Sequence, residues 1–112
     1  MADTLSLANK NIELDRYGYL RSLEDWDEPV AEVLAAREGI TLRDGHWELI
    51  RLLRAFHQQS GLSPSTRVLV KLMARELGDD KGNSAYLMRL FPDTPLKLAC
   101  KIAGLPRPTN CL

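Results

Sequence analysis

A chain of 112 residues fits one domain with a single modest core and is too short for two. Lysine plus arginine and aspartate plus glutamate each number 15, so the net charge is zero and no global field draws the protein to nucleic acid or to an anionic membrane. Apolar runs are only a few residues long, and Met1, Ala2, Asp3 and Thr4 lack the basic and apolar regions of a signal peptide. These features predict a soluble, cytoplasmic protein with no membrane insertion.

From Thr4 to Leu14 a period of two (Leu5, Leu7, then Ile12, Leu14) is interrupted by Ala8, Asn9, Lys10 and Asn11, which predicts a β-hairpin over about 4–14. Two strands alone are marginal in water, so the hairpin must lie against helices. From Trp26 the period changes. Trp26, Val30, Val33 and Leu34 share a face of a first helix that Gly39 ends. Leu49, Leu52, Leu53 and Phe56 mark a second helix, from about Asp44 to Ser60, with Gly61 as its stop. Ser63 as N-cap and Pro64 at the first helical position open a third, with Leu69, Leu72, Met73 and Leu77 as its buried stripe and Gly78 as its end.

After the polar loop from Gly78 to Gly82, Asn83 or Ser84 caps a short helix that buries Leu87, Leu90 and Phe91 and is closed by Pro92. Thr94 and Pro95 open the last helix, which runs to about Ala103, with Gly104 as its stop. The expected fold class is α+β, mostly α. A compact bundle of about five helices over residues 26–103 carries the small N-terminal hairpin, and residues 1–104 form one domain. Residues 105–112 form an extended arm, because Pro106 and Pro108 exclude helix.

Both cysteines, Cys100 and Cys111, fall in the last 13 residues, unlike the dispersed and more numerous cysteines of a disulfide scaffold. A thiol acts as nucleophile or sulfur carrier through its thiolate, so exposure and nearby positive charge matter more than packing. Cys111, one residue from the chain end, is the candidate working thiol, because such an end can enter a partner's cleft. The α-carboxylate of Leu112 disfavours its thiolate, and Arg107, Lys101, Arg67 and Lys71 are the cations available to offset this or to dock a partner.

Cys100 shares a helix face with Leu96 and Ala103, which leaves two readings open: a small core residue, or a second reactive thiol. The helix advances roughly 6 Å from Cys100 to Gly104. The seven residues that follow reach up to about 24 Å if extended. The arm is therefore long enough to bring the two Cα atoms to the ~5.5 Å separation that a disulfide needs. In the reactive reading, Cys111 carries sulfur as a persulfide and Cys100 resolves it.

Other chemistries find less support. The helices over Asp44–Ser60 and from Ser63 to Leu77 could form a helix-turn-helix with Arg67, Lys71 and Arg75 as a basic face. Such a row is more often simply solvated, and a neutral chain supplies few phosphate contacts, so DNA binding is not expected. His46 and His57 with the two cysteines lack zinc-finger spacing, and His46 beside Trp47 reads as a capping or packing residue. No phosphate-cradling glycine loop or serine nucleophile motif is present. No cofactor and no metal are expected, and the chain reads as a protein co-substrate rather than a self-sufficient enzyme.

The run Lys81, Gly82, Asn83, Ser84, Tyr86, Leu87, Leu90, Phe91 and Pro92, followed by Ala99, Cys100, Lys101, Ala103, Gly104, Leu105, Pro106, Pro108, Thr109 and Cys111, resembles the DsrC/TusE family of sulfur-relay proteins. Gly18, Leu20, Trp26, His46, Trp47, Pro64, Arg67, Leu69 and Lys71 extend the likeness over essentially the whole chain. The resemblance implies a helical body with a swinging C-terminal arm whose penultimate cysteine receives persulfide sulfur from a heteromeric sulfurtransferase complex. It also implies two branches. One delivers sulfur to the tRNA 2-thiouridylase that makes wobble 2-thiouridine, and its members lack the upstream cysteine. The other works with dissimilatory sulfite reductase and carries both thiols, which form a disulfide or trisulfide. The presence of Cys100 favours the second branch. Asn110 stands where the family commonly has glycine, and Asp93 with Thr94 replaces a glycine-containing turn.

Overall fold

The computed structural model describes residues 3–108. Strands β1 (Asp3–Leu7) and β2 (Lys10–Leu14) pair antiparallel with Leu5 opposite Ile12 and Leu7 opposite Lys10, turning at Ala8 and Asn9. Alternation places Leu5, Ile12 and Leu14 on the buried face. The support that this hairpin requires comes from the segment after it. Asp15 Oδ1 accepts the backbone N–H groups of Tyr17 and Tyr19, the chain doubles back to bridge Leu14 with Leu20, and the buried Tyr19 donates its hydroxyl to Lys97 O at 3.0 Å. The sheet is thereby tied to the last helix.

A single 3-10 turn, Leu23–Asp25, precedes α1 (Glu28–Arg37). Asp27 caps α1, its Oδ1 accepting from Val30 N at 2.9 Å, so the first helix starts two residues after Trp26 rather than at it. Trp26 is freed for a contact described below. Helix α2 spans Asp44–Ser60, as its apolar stripe and Gly61 predict. Helix α3 (Thr66–Leu77) corrects the expected cap: Ser65, not Ser63, caps it, with Ser65 Oγ accepting from Val68 N at 3.2 Å, and Pro64 lies outside the helix. Two serines flank Pro64, and the one directly before the first helical residue takes the role.

Asn83 caps α4 (Ser84–Leu90), and Pro95 opens α5 (Pro95–Ile102). Asp93, at the position where the resemblance expects a glycine-containing turn, adopts φ 69°, a left-handed conformation that aspartate tolerates better than most residues.

Helix α5 packs against α1, α2 and α4, while α3 packs on α2. Five of the eight residues of α5 are buried: Leu96, Leu98, Ala99, Cys100 and Ile102. His46 joins two elements at the core's edge. Its Nδ1 accepts Arg43 N–H at 3.0 Å, which leaves Nε2–H to donate to Leu90 O at 2.9 Å, and its ring meets Phe91 edge-on. It both caps α2 and packs.

Burial, opposed by the hydrogen bond to Leu90, holds the His46 pKa below its ordinary value. The unfolded chain therefore binds this proton more readily than the native one, and stability rises with pH across the interval between the two pKa values. Urea midpoints for the native protein should fall as pH drops below about 6.5, and His46→Gln should flatten that slope. An unchanged slope in the variant would remove His46 as its source.

Candidate functional site

The site is built on the way α5 ends. Gly104 takes φ 74°, Gly104 N–H bonds Lys101 O at 3.2 Å, and Leu105 N–H bonds Cys100 O at 3.0 Å, the paired pattern of a Schellman stop. Leu105, expected from sequence at the start of the arm, is only 3% exposed. Pro106 and Arg107 then emerge, and Pro108 is buried again. Cys111, like Asn110, lies outside the described residues.

Cys100 is a free thiol with 0% exposure. Burial pushes its pKa up to about 11, against a hydrogen bond with the Ser63 side chain that acts in the opposite direction. At neutral pH it is held as a thiol. Its surroundings are those of the core residue that its helix face permits. Ser63 owes this contact to not being the cap of α3, a role that the sequence does not separate from that of Ser65.

The four candidate cations divide into two groups. Arg107 stacks its guanidinium 3.9 Å from the centre of the Tyr17 ring. Lys101 Nζ lies 3.2 Å from Glu38 Oε2 and 5.4 Å from the centre of the Tyr19 ring. Both line one cleft of about 180 Å3 with Lys97, which makes three cations against the single carboxylate of Glu38. Arg67 and Lys71 stand exposed on α3 with Arg75, and neither lines that cleft. Their row has the solvated character expected of it.

On its other side the arm runs along the turn between α2 and α3. His57, Gly61, Leu62, Ser63, Pro64, Pro106, Arg107 and Pro108 enclose about 310 Å3 there. His57, weighed from sequence only for zinc-finger spacing, and Tyr17, which carried no motif, are the neighbours of the arm that only the fold discloses. Among the described residues, no group of three or more His, Cys, Asp or Glu could hold a metal ion. No helix among them is long and apolar enough to cross a membrane.

Comparison with known proteins agrees with this architecture. The family described as "DsrC like protein" matches residues 6–112. The protein "Sulfurtransferase TusE" of Yersinia pestis is 52% identical over 108 residues, covering 96% of this chain and 99% of that protein. Its namesake in Escherichia coli (strain K12) is 50% identical over the same length and coverage. Among solved structures, Allochromatium vinosum DsrC superposes with a TM-score of 0.91 at 44% identity over 100% of both chains. The oxidized gamma-subunit of the dissimilatory sulfite reductase (DsrC) from Archaeoglobus fulgidus gives 0.85 at 41% identity, covering 98% of this chain and 100% of that one.

The burial of Cys100 has a direct readout. A pKa near 11 leaves roughly 100-fold less thiolate than an ordinary protein thiol has at neutral pH. In a Cys111→Ser background, iodoacetamide at pH 7.5 should modify Cys100 at least that much more slowly in native protein than in urea. Equal rates in the two solvents would show the thiol to be open.

Proposed function

This chain belongs to the DsrC-like protein family, and on that premise we propose that it is a sulfur carrier whose working atom is the thiol of Cys111. The observation that carries the reading is the contrast between the two cysteines. Cys100 is buried, with its ionisation suppressed, whereas Cys111 follows a helix stop and a two-proline segment on which no regular helix can form. The Cys111 thiolate attacks the outer sulfur of a donor persulfide. The S–S bond of the donor breaks, the donor leaves as a thiolate, and Cys111 gains one sulfur atom as its own persulfide. No net oxidation occurs, so neither metal nor cofactor is required.

The donor is a heteromeric sulfurtransferase complex, and the shared cleft of Lys101 and Arg107 supports a role for them in docking it or favouring the thiolate. Arg67 and Lys71 offer a second, separate patch on α3. For the acceptor, the likeness to TusE proteins at 50–52% identity supports the tRNA 2-thiouridylase branch over the sulfite-reductase branch that the presence of Cys100 favoured from sequence. A packed Cys100 fits a relay that uses one thiol.

The second reading rests on Cys100 itself and on the DsrC structures at 41–44% identity. In it Cys100 attacks the inner sulfur of the Cys111 persulfide, a disulfide forms, and the outer sulfur leaves as hydrosulfide. Two thiols are oxidised while one sulfane sulfur is reduced. Dissimilatory sulfite reductase would be the partner in this branch.

Incubation with a sulfane-sulfur donor should raise the intact mass by ~32 Da per sulfur atom in native protein and in Cys100→Ser, but not in Cys111→Ser. Undiminished loading of Cys111→Ser would displace Cys111 from the centre of this reading. Loaded protein offered to a tRNA-thiolating enzyme with tRNA, and separately to sulfite reductase, distinguishes the branches by where the labelled sulfur arrives.

A further inference from the structure

The Schellman stop occupies two of the last carbonyls of α5, those of Cys100 and Lys101. The next two, on Ile102 and Ala103, would ordinarily face water or stay unpaired. Here each is taken by a side chain from a distant segment. Trp26 Nε1–H donates to Ile102 O at 2.9 Å, and Arg54 Nη1 donates to Ala103 O at 2.7 Å. The two donors also hold each other, since Arg54 Cζ lies 3.8 Å from the centre of the Trp26 ring. The stack closes over Gly104, where an added Cβ would lie 2.3 Å from Trp26 Cδ1.

A helix cap needs only a donor. This arrangement uses a partly desolvated guanidinium, which has no carboxylate partner among the described residues, and packs it on an indole. Together the two side chains fix the orientation of the peptide planes at Ile102 and Ala103 and hold Gly104 in its left-handed turn. Those planes set the heading of residues 105–108, through which the chain continues to Cys111.

We infer that Trp26 and Arg54 are positioning residues for sulfur transfer: as a pair they clamp the end of α5 and set the direction in which the arm bearing Cys111 leaves the body. This inference rests on Cys111 being the carrier thiol. Its effect belongs to reactions with macromolecular partners, where the carrier must arrive along a defined line, and not to reactions with small reagents that approach from any side.

The test measures heading and transfer separately. In a Cys100→Ser background, nitroxides on Cys111 and on Glu32→Cys, an exposed site on α1, report the distance between arm and body by electron paramagnetic resonance. Arg54→Met and Trp26→Phe should shift or broaden that distribution, and Arg54→Lys should restore it in part. In unlabelled protein, transfer from a persulfidated protein donor should fall roughly 10-fold or more in Arg54→Met. Alkylation of Cys111 by iodoacetamide should stay within about twofold. Should Arg54→Met fail to fold, Trp26→Phe, which keeps an aromatic ring but removes the indole N–H and shrinks the surface stacked on Arg54 and Gly104, carries the same comparison.

Unchanged distributions, or changed distributions with unchanged protein-to-protein transfer, would overturn the positioning role and leave the carrier reading intact. A loss of alkylation parallel to the loss of transfer would overturn it equally, because the clamp would then affect the thiol and not its approach. Failure of the carrier reading itself is seen elsewhere, as sulfur loading that survives Cys111→Ser.

Discussion

Everything distinctive about this molecule depends on the termination of α5. The helix is the most buried element of the body, yet the chain must leave it and reach solvent within a few residues. A left-handed turn at Gly104 makes the change of direction possible, and the Trp26 ring against that glycine leaves no room for a side chain there. Leu105 is drawn back into the core by the same turn, so the body is sealed before Pro106 and Arg107 emerge. A tightly closed helix end gives the segment beyond it a fixed origin.

In the proposed relay this origin serves a chemical division between two thiols. Taking a thiolate out of water is unfavourable, and against this the Cys100 site supplies the hydrogen bond with Ser63. The position of Cys100 near the C-terminal end of α5, where the helix dipole is negative, disfavours its thiolate as well. The proposed carrier thiol would find positive charge either in this protein's Lys97, Lys101 and Arg107 cleft or on a partner. A neutral chain with local cation clusters suits such transient contacts, because long-range attraction would otherwise draw the arm towards any polyanion.

Local features were legible in the sequence wherever a signal and its structural consequence lay within one turn of each other. Helix α2 appears with its expected ends because a periodic apolar stripe meets a glycine stop at Gly61. The hairpin and the start at Pro95 were readable for the same reason, and the cap of α4 was narrowed to Asn83 or Ser84. The misread starts are cases of two local signals in competition. Ser63 and Ser65 both flank Pro64, and Trp26 keeps the period of α1 although Asp27 caps that helix. Contacts that define the surroundings of the site were not legible, because they join residues far apart in the chain. Arg54 meets Ala103 across 49 positions and Trp26 meets Ile102 across 76. Arg54 in particular reads as an ordinary charged residue beside Leu53.

The same helix end bears on whether one thiol or two take part in the chemistry. With a pKa near 11, Cys100 is ionised in only about one molecule in several thousand at pH 7.5. Exposing it would mean uncovering a side chain that is 0% exposed and parting its hydrogen bond with Ser63. Both oppose a resolving role in the isolated protein. A partner that grips the arm could supply the missing free energy, because its binding can favour a state with Cys100 uncovered by as much as it prefers that state. Resolution by Cys100 would then be a property of the complex, whereas transfer from Cys111 alone would require no opening of the body. Within the proposed relay, transfer through one thiol asks nothing further of the body, whereas resolution asks for the uncovering of Cys100.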